Sequence, residues 1–202
     1  MGALRLLSVR IAVPDPPLSG DGITLRLLTP DDVGWVTDTC ADEELSRYIP
    51  SIPHPYTTAD AEVFARQAAR GWETGGSASF VIASADQAGL GMIGLSFEPD
   101  DPGMAEVGYW LRREARGAGA ATAAVILIAG WAFADLGIER LSLTTMPENR
   151  ASQAVARRVG FVREGRLRAW LPGPEGRRDS LMFSLLPSDR VGAGGPSSGG
   201  ER

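Results

Sequence analysis

The 202-residue chain has one cysteine, Cys40, one histidine, His54, and no lysine, so all 20 basic side chains are arginines. One cysteine cannot form an intrachain disulfide, and one cysteine with one histidine is too few for a Cys/His zinc site. Without lysine, neither a Schiff base nor a P-loop can form. A Ser–His–Asp triad would have to use His54. We therefore expect chemistry that needs no metal and no lysine.

Basic blocks and a secretory signal are also missing from the sequence. The net charge is −5 and the isoelectric point is about 5.0, which argues against nucleic-acid binding. The apolar run at residues 1–13 leads into prolines without a cleavage site, which predicts a cytoplasmic protein. Residues 117–134 carry no charge, but their first half is Gly, Ala and Thr. We therefore expect a buried helix there and no membrane span.

The composition predicts one folded domain with linker-like ends. Hydrophobic residues make up 44% of the chain, which suffices for a core. We expect a flexible, proline-rich segment over residues 1–20, a domain over residues 21–186, and a disordered Gly/Ser-rich tail over residues 187–202. No pattern indicates the oligomeric state, so a monomer and a homodimer both remain open.

Hydrophobic periodicity and turn residues predict an α/β fold, with a mixed, strongly twisted sheet of about seven strands and about four helices. The expected order is β-α-α-β-β-β-α-β-α-β-β. A further short helix is suggested at residues 43–48, and the proline-rich residues 49–56 predict an extended loop. The strands are expected at residues 23–28, 79–84, 90–97, 104–111, 141–145, 161–169 and 179–185. The helices are expected at residues 30–40, 59–74 (after a Thr58 cap), 118–136 and 150–159.

Residues 112–123 (RREARGAGAATA) carry the strongest functional signal, because they follow a strand and open a helix. Glycines allow a ligand to approach the backbone, and the first N–H groups of a helix bind anions. Arg116 adds a planar bidentate donor. The loop lacks the lysine of a P-loop, and Thr122 stands where a dinucleotide motif needs its third glycine. By itself, the loop predicts either a phosphate site or a helix-capping turn.

The residues Arg116-Gly117-Ala118-Gly119-Ala120-Ala121 fit the pattern R/Q-x-x-G-x-G/A, which resembles the acyl-CoA diphosphate loop of the GCN5-related N-acetyltransferases (GNAT). Residues 105–111 (AEVGYWL), residues 149–152 (NRAS) and residues 159–161 (VGF) are similar to the RimJ/RimL branch of that family. The resemblance covers roughly residues 22–186. It implies the GNAT fold and acetyl-CoA as the acyl-donor substrate.

The resemblance also implies which residues bind the donor. The glycine-rich loop would hold the diphosphate, and the strand before it would pair with the pantetheine arm. Two residues at the start of the helix predicted at residues 150–159 would contact that arm. The donor-binding residues are Val107, Gly108, Tyr109, Trp110, Leu111, Arg116, Gly117, Ala118, Gly119, Ala120, Ala121, Asn149 and Ser152. Gly108 would mark the point where two strands separate, or else a plain β-bulge. Asn149 is equally well explained as a helix N-cap.

Three residues are candidates for proton transfer. Ser152 matches a serine proposed in the RimL type to protonate the departing thiolate, although a serine in a first helical turn is also unremarkable. Glu106 could deprotonate the acceptor amine through water, or it could simply face solvent or pair with an arginine. Tyr109 is an alternative acid, with packing in the sheet as the competing explanation. Acyl transfer would be direct, in a ternary complex, since Cys40 is expected to be a small buried side chain.

Acceptor contacts are less defined by the sequence. In the family, the loop containing His54 and Tyr56 lines the acceptor side, although an exposed loop explains both residues as well. Trp35 and Tyr48 could form an acceptor wall, with packing among helices as the alternative. Residues 31–75 and 171–178 would set specificity.

The resemblance therefore predicts an enzyme that transfers an acetyl group to a primary amine, either a protein N-terminus or a small molecule. The competing hypothesis is a non-catalytic module of the same fold that senses acyl-CoA.

Overall fold

The structure is a computed structural model, and it describes residues 11–173 and 176–189. Residues 1–10 and 190–202, which make up most of the two predicted tails, lie outside the described residues. Residues 174–175, between the last two strands, lie outside them as well.

Eight strands and five α-helices lie within the described ranges, and they form the mixed α/β fold that the sequence predicts. The sheet order is β1-β2-β3-β4-β5-β6-β8-β7. Neighbouring strands are antiparallel except for the parallel pair β5–β6. The strands are β1 (Ser19–Gly20), β2 (Ile23–Arg26), β3 (Ser77–Ser84), β4 (Gly89–Glu98), β5 (Asp101–Leu111), β6 (Arg140–Thr145), β7 (Val162–Leu171) and β8 (Arg178–Leu185). The helices are α1 (Val33–Cys40), α2 (Glu43–Tyr48), α3 (Thr58–Thr74), α4 (Ala120–Ala134) and α5 (Arg150–Val159).

Both faces of the sheet are covered by helices. Phe80 and Ile82 of β3 belong to the main core beneath α4 and α5, whereas the alternate residue Val81 packs toward α1 and α3. This arrangement follows from the two-residue period of a strand, which sends successive side chains to opposite faces. The uncharged stretch forms α4, whose Ala124 and Val125 are completely buried. It is a core helix, as predicted, and none of the described helices is long and apolar enough to cross a membrane.

The observed boundaries differ from the predicted ones by one to three residues in most elements, and three differences bear on the fold and the site. Ser19 and Gly20, inside the segment predicted to be flexible, pair with β2. The N-cap of α3 is Thr57 rather than Thr58, because Thr57 and Asp60 form a capping box. Helix α4 begins at Ala120, two residues later than expected, because Gly119 has a left-handed conformation. That conformation keeps the end of the loop free of helical structure.

One buried carboxylate, Asp32, fixes the start of α1 against the sheet. It is 3% exposed and accepts hydrogen bonds of 2.7 and 2.8 Å from Arg26. It also accepts hydrogen bonds from the backbone N–H of Thr29 and the indole N–H of Trp35. Burial would raise the pKa of Asp32, but these hydrogen bonds from Arg26, Thr29 and Trp35 hold it well below the usual range.

Candidate active site

The central feature of the site is a separation of two strands. Strands β5 and β6 pair at Met104–Arg140, Ala105–Leu141 and Glu106–Ser142, and their pairing stops there. Strand β5 continues beyond Glu106 to Leu111, and strand β6 continues beyond Ser142 to Thr145. The gap leads into a cavity of about 820 Å³. A cleft of this size can hold a ligand of cofactor dimensions.

Gly108 lies at the opening of this cleft. It pairs with Gly94 of β4 in regular register, and the irregularity of that hairpin lies at Phe97/Glu98 instead. Gly108 is therefore at the strand separation, and the β-bulge alternative is wrong. A Cβ added there would point into open space, with none of the described atoms within 4 Å. The missing side chain leaves room for a ligand against the backbone of β5.

The glycine-rich loop forms one end of the cavity. Gly117 and Gly119 have φ values of +82° and +90°, which other residues rarely adopt, and each would carry a Cβ into open space. Both residues line the cavity together with Ala121 in the first turn of α4. Ala118 is exposed and Ala120 is buried, and both lie outside the lining. The loop therefore presents backbone and the positive end of the α4 dipole to the cavity.

Arg116 also lines the cavity, and its side chain is held by the carboxylates of Asp42, the N-cap of α2, and Glu44, in α2. Its Nη1 lies 2.9 Å from Glu44 Oε2, and its Nη2 lies 3.6 Å from Asp42 Oδ2. Its Nε donates to the carbonyl oxygen of Leu111 at 3.3 Å. Arg113 shares the same two carboxylates, and its hydrogen bond lowers the pKa of Asp42. Two positive and two negative groups therefore face each other beside the loop.

Tyr109 and Ser152 meet across the cleft, although 43 positions separate them in the sequence. Their hydroxyl oxygens lie 3.0 Å apart, and the phenol also donates to the Ser152 carbonyl oxygen at 3.4 Å. Asn149 accepts a hydrogen bond from the Ser152 backbone N–H at 3.0 Å, so it is the N-cap of α5. Burial raises the pKa of Tyr109 to about 12, and its hydrogen bond with Ser152 opposes the rise. The phenol is therefore protonated at neutral pH.

Glu106 lies on the other face of β5 from Tyr109, because the two positions differ by an odd number along the strand. It lines the cavity, and Thr144 Oγ1 donates to its Oε1 at 2.5 Å. Thr144 is a site residue that the sequence did not predict. The alternation Ser142–Thr144 on the strand that pairs with Glu106 is the signal that could have found it. This hydrogen bond fixes the orientation of the Glu106 carboxylate at the cleft.

Tyr48 is the acceptor-side candidate that the structure brings to the cavity, where it lines the wall at the end of α2. Trp35 lies elsewhere. Its indole N–H donates to Asp32 at 2.8 Å, and its ring packs 5.8 Å from that of Trp110. In this position Trp35 supports Trp110 from the α1 side. The packing alternative therefore describes Trp35 better than an acceptor wall does.

His54 and Tyr56 also lie away from the cavity lining. The His54 side chain is 55% exposed, and its Nε2 lies 3.9 Å from Glu43 Oε1. Tyr56 packs with Cys40 in the helical cluster, where burial raises the pKa of both side chains. Cys40 is buried, as predicted. Among the described residues, no group of three or more His, Cys, Asp or Glu side chains is placed to hold a metal ion.

Two further features of the site were not predicted from the sequence. Trp170 of β7 is 52% exposed and lines the main cavity. A second cavity, of about 400 Å³, lies between α3 and strands β3–β5 and shares Gly108, Trp110 and Ser51 with the first. Openings on both sides of Gly108 would let two molecules meet at the cleft.

The fold and the cleft together define a class. One parallel pair in a mainly antiparallel sheet separates beside a glycine-rich helix start, which is the arrangement expected of a GNAT acyltransferase. The sequence profile of the acetyltransferase (GNAT) domain matches residues 23–162. The chain therefore belongs to the GNAT family and is an N-acetyltransferase of that family.

Individual relatives support this assignment. YdaF of Bacillus subtilis strain 168, provisionally named a ribosomal N-acetyltransferase, is 27% identical over 84% of this chain and 94% of its own length. The structure of Mycobacterium smegmatis RimJ in complex with CoA-disulfide superposes with a TM-score of 0.74 at 23% identity, over 82% of each chain. The microcin C7 self-immunity acetyltransferase MccE, in complex with acetyl-CoA and AMP, gives a TM-score of 0.73 at 21% identity, over 85% of this chain and 99% of MccE. The two solved structures establish the common fold.

Proposed function

We propose that this protein transfers the acetyl group of acetyl-CoA directly to a primary amine at the separation of β5 and β6. The observation that carries the proposal is the end of β5–β6 pairing at Glu106, beside a cavity that reaches the glycine-rich loop. A thioester donor needs this combination, because its phosphates require an anion site and its extended arm requires unpaired strand backbone. A cytoplasmic location is part of the same proposal.

The diphosphate of the donor would bind to Arg116 and to the backbone N–H groups of Gly117, Gly119 and Ala121. The amide groups of the pantetheine arm would pair with residues 107–111 where β6 has left them free. A backbone N–H of this segment would donate to the thioester oxygen, on which negative charge develops during attack. Asn149, as the cap of α5, would hold the helix start against the arm.

Acid and base would act from opposite faces of β5. The amine nitrogen attacks the thioester carbon, the C–N bond forms, and the C–S bond breaks. The proton of the departing thiol would come from Ser152, which Tyr109 contacts at 3.0 Å, or from Tyr109 itself. The amine proton would pass through water to Glu106. Because Glu106 and Tyr109 lie on opposite faces of β5, their side chains would approach the reacting centre from opposite sides.

A combined binding and turnover assay tests this proposal. Acetyl-CoA should bind in calorimetric titration, and mixtures of primary amines should release free thiol and acquire acetyl groups by mass spectrometry. Arg116→Ala should weaken donor binding by about 10-fold or more, since charge-assisted hydrogen bonds contribute about 1.5–3 kcal/mol. Absence of donor binding, or donor affinity untouched by Arg116→Ala, would refute the proposed site. Binding without turnover on any amine would instead favour the acyl-CoA-sensing module.

A further inference from the structure

Trp170 is an aromatic side chain that the fold leaves half exposed at the rim of the main cavity. A half-exposed tryptophan on a cavity wall offers a large apolar ring to a molecule that enters the cavity. It shares this cavity with Glu106 and Tyr109, the residues proposed to move protons. A molecule that reaches the cleft from this rim therefore passes the indole.

The backbone around Trp170 is held in an unusual conformation. Ala169 has a φ of +50°, a left-handed value that costs free energy in a residue with a Cβ. Asp179 accepts a hydrogen bond from the Ala169 N–H at 2.7 Å, and Arg166 pairs with Asp179 at 2.6 Å. Arg177 donates to the carbonyl oxygens of both Ala169 and Trp170. This set of polar contacts stabilises a kink in β7 that sets the direction of Trp170.

The end of α2 and the residues after it add further apolar surface to the cavity. Tyr48, Ile49 and Pro50, at the end of α2, line the cavity together with Trp170. Arg178 connects β8 to α2, because its Nη1 donates to the carbonyl oxygen of Arg47 at 3.1 Å. Tyr48 and Trp170 are thus two aromatic side chains that line the same cavity.

The charge of the cavity wall excludes one class of acceptor. Its charged members among the described residues are Glu44, Glu106, Arg116 and Arg158. Glu44 is already paired with Arg116. A polycationic acceptor would need several uncompensated carboxylates along its path, since opposite potentials favour association. The wall instead offers apolar surface and one carboxylate, Glu106, that pairs with none of the described arginines and accepts a hydrogen bond from Thr144.

Given the proposed function, on which this inference rests, we propose that the acceptor is a primary amine joined to an aromatic ring by a short alkyl chain, and that Trp170 binds this ring. Trp170 is thus a specificity-determining residue. Aromatic pairs gain about 0.5–1.5 kcal/mol beyond the burial of their surface, which is about a 2- to 13-fold preference over a saturated ring of the same size.

Steady-state kinetics at saturating acetyl-CoA test the proposal with phenethylamine, its saturated analogue cyclohexylethylamine, and the polycation spermidine. Phenethylamine should have the highest kcat/KM. Trp170→Ala should raise the KM for phenethylamine about 10-fold, with kcat and the KM for acetyl-CoA unchanged. Trp170→Phe should retain most of the affinity. Val162→Ala is the matched control, because Val162 is also an exposed apolar residue of β7 but lies away from the cavity.

The proposal is overturned if spermidine or cyclohexylethylamine is used as well as phenethylamine. It is also overturned if Trp170→Ala leaves the phenethylamine KM unchanged or raises the KM for acetyl-CoA instead. If no amine is acetylated, titration of phenethylamine into the enzyme–CoA complex decides. Binding of phenethylamine that depends on Trp170 would support the acceptor site, although the proposed acetyl transfer would fail. Absence of binding would overturn both the acceptor site and the proposed transfer.

Discussion

Glu44 lies where it would compete with a bound diphosphate for Arg116. Its carboxylate lies 2.9 Å from Arg116 Nη1, and both side chains line the cavity. A phosphate bound by the same guanidinium must therefore either displace Glu44 or share Arg116 with it. We predict that Glu44→Gln strengthens binding of CoA and acetyl-CoA.

The magnitude follows from the geometry. A phosphate oxygen on another N–H of Arg116 would lie about 5 Å from the Glu44 carboxylate, where two unit charges repel by about 1 kcal/mol in water and about 3 kcal/mol under weaker screening. The Glu44 side chain is 50% exposed, so the lower half of this range applies. Loss of the Glu44–Arg116 ion pair does not offset this gain, because the wild-type protein either gives up the pair when the phosphate displaces Glu44 or keeps it in both states when the two share Arg116. We therefore expect donor affinity to rise about 5- to 30-fold.

Glu43→Gln is the control for this experiment. Glu43 is the adjacent residue of α2, and the substitution removes the same charge. Its side chain is 84% exposed and approaches His54 at 3.9 Å rather than Arg116. Isothermal titration of CoA into both variants should show a gain for Glu44→Gln alone, and the gain should shrink as added salt screens the charges. Equal gains would show a general charge effect, and unchanged or weaker binding in Glu44→Gln would refute the competition.

Three further predictions concern the cleft, the acid and the start of α1. Gly108→Val should leave the melting temperature unchanged, because the valine side chain would enter open space. By filling the cleft, it should weaken CoA binding at least about 10-fold in calorimetry. A substitution at Gly91 should instead destabilise the fold, since the added Cβ would lie 2.2 Å from a backbone oxygen. Tyr109→Phe should lower kcat by about 10-fold or more. Because the pKa of Tyr109 is raised to about 12, removal of the phenol should not change the shape of the pH–rate profile below pH about 10. An unchanged kcat would exclude the phenol from proton transfer. Asp32→Asn should lower the free energy of unfolding by about 3 kcal/mol, the loss expected on breaking a buried pair, whereas the exposed neighbour Asp31→Asn should have little effect. The pKa of Asp32 is lowered in the folded state, so its stabilising contribution is complete above pH about 4 and is lost as the pH falls below that value. Urea titrations at pH 7 and pH 3 measure this loss. An equal effect of Asp32→Asn on the free energy of unfolding at both pH values would contradict it.

The sequence was most informative where a local pattern has one physical solution. The glycines at 117 and 119 predicted a loop open to a ligand, and the structure gives both of them a positive φ. Asn149 was predicted to cap a helix, and its side chain accepts from the Ser152 N–H. The uncharged run before Asp135 was predicted to be a buried helix, and α4 lies in the core. Such features depend on residues within one or two turns of each other.

The sequence left open the positions that depend on contacts between distant segments. Trp35, His54 and Tyr56 were candidates for the acceptor side, with packing or an exposed loop as the alternatives. In the structure Trp35 donates to Asp32, His54 is exposed and Tyr56 packs with Cys40, all outside the cavity lining. Trp170 lies one residue beyond the strand predicted at residues 161–169, and its place at the site depends on the kink at Ala169 and on the cavity. Nothing in the order of residues indicates that Glu44 faces Arg116, since the contact spans 72 positions and depends on how α2 crosses the cleft.

The sequence by itself determined the class of this protein. The spacing of the glycine-rich loop and the Asn149 motif, with the alternation of strands and helices, was enough for the family, and the lack of lysine and of paired cysteines removed other chemistries. The tertiary structure decided where the site opens and what surrounds it. Strand pairing, which no local pattern encodes, stops at Glu106, and only that event places Tyr109, Ser152 and Trp170 around one cavity.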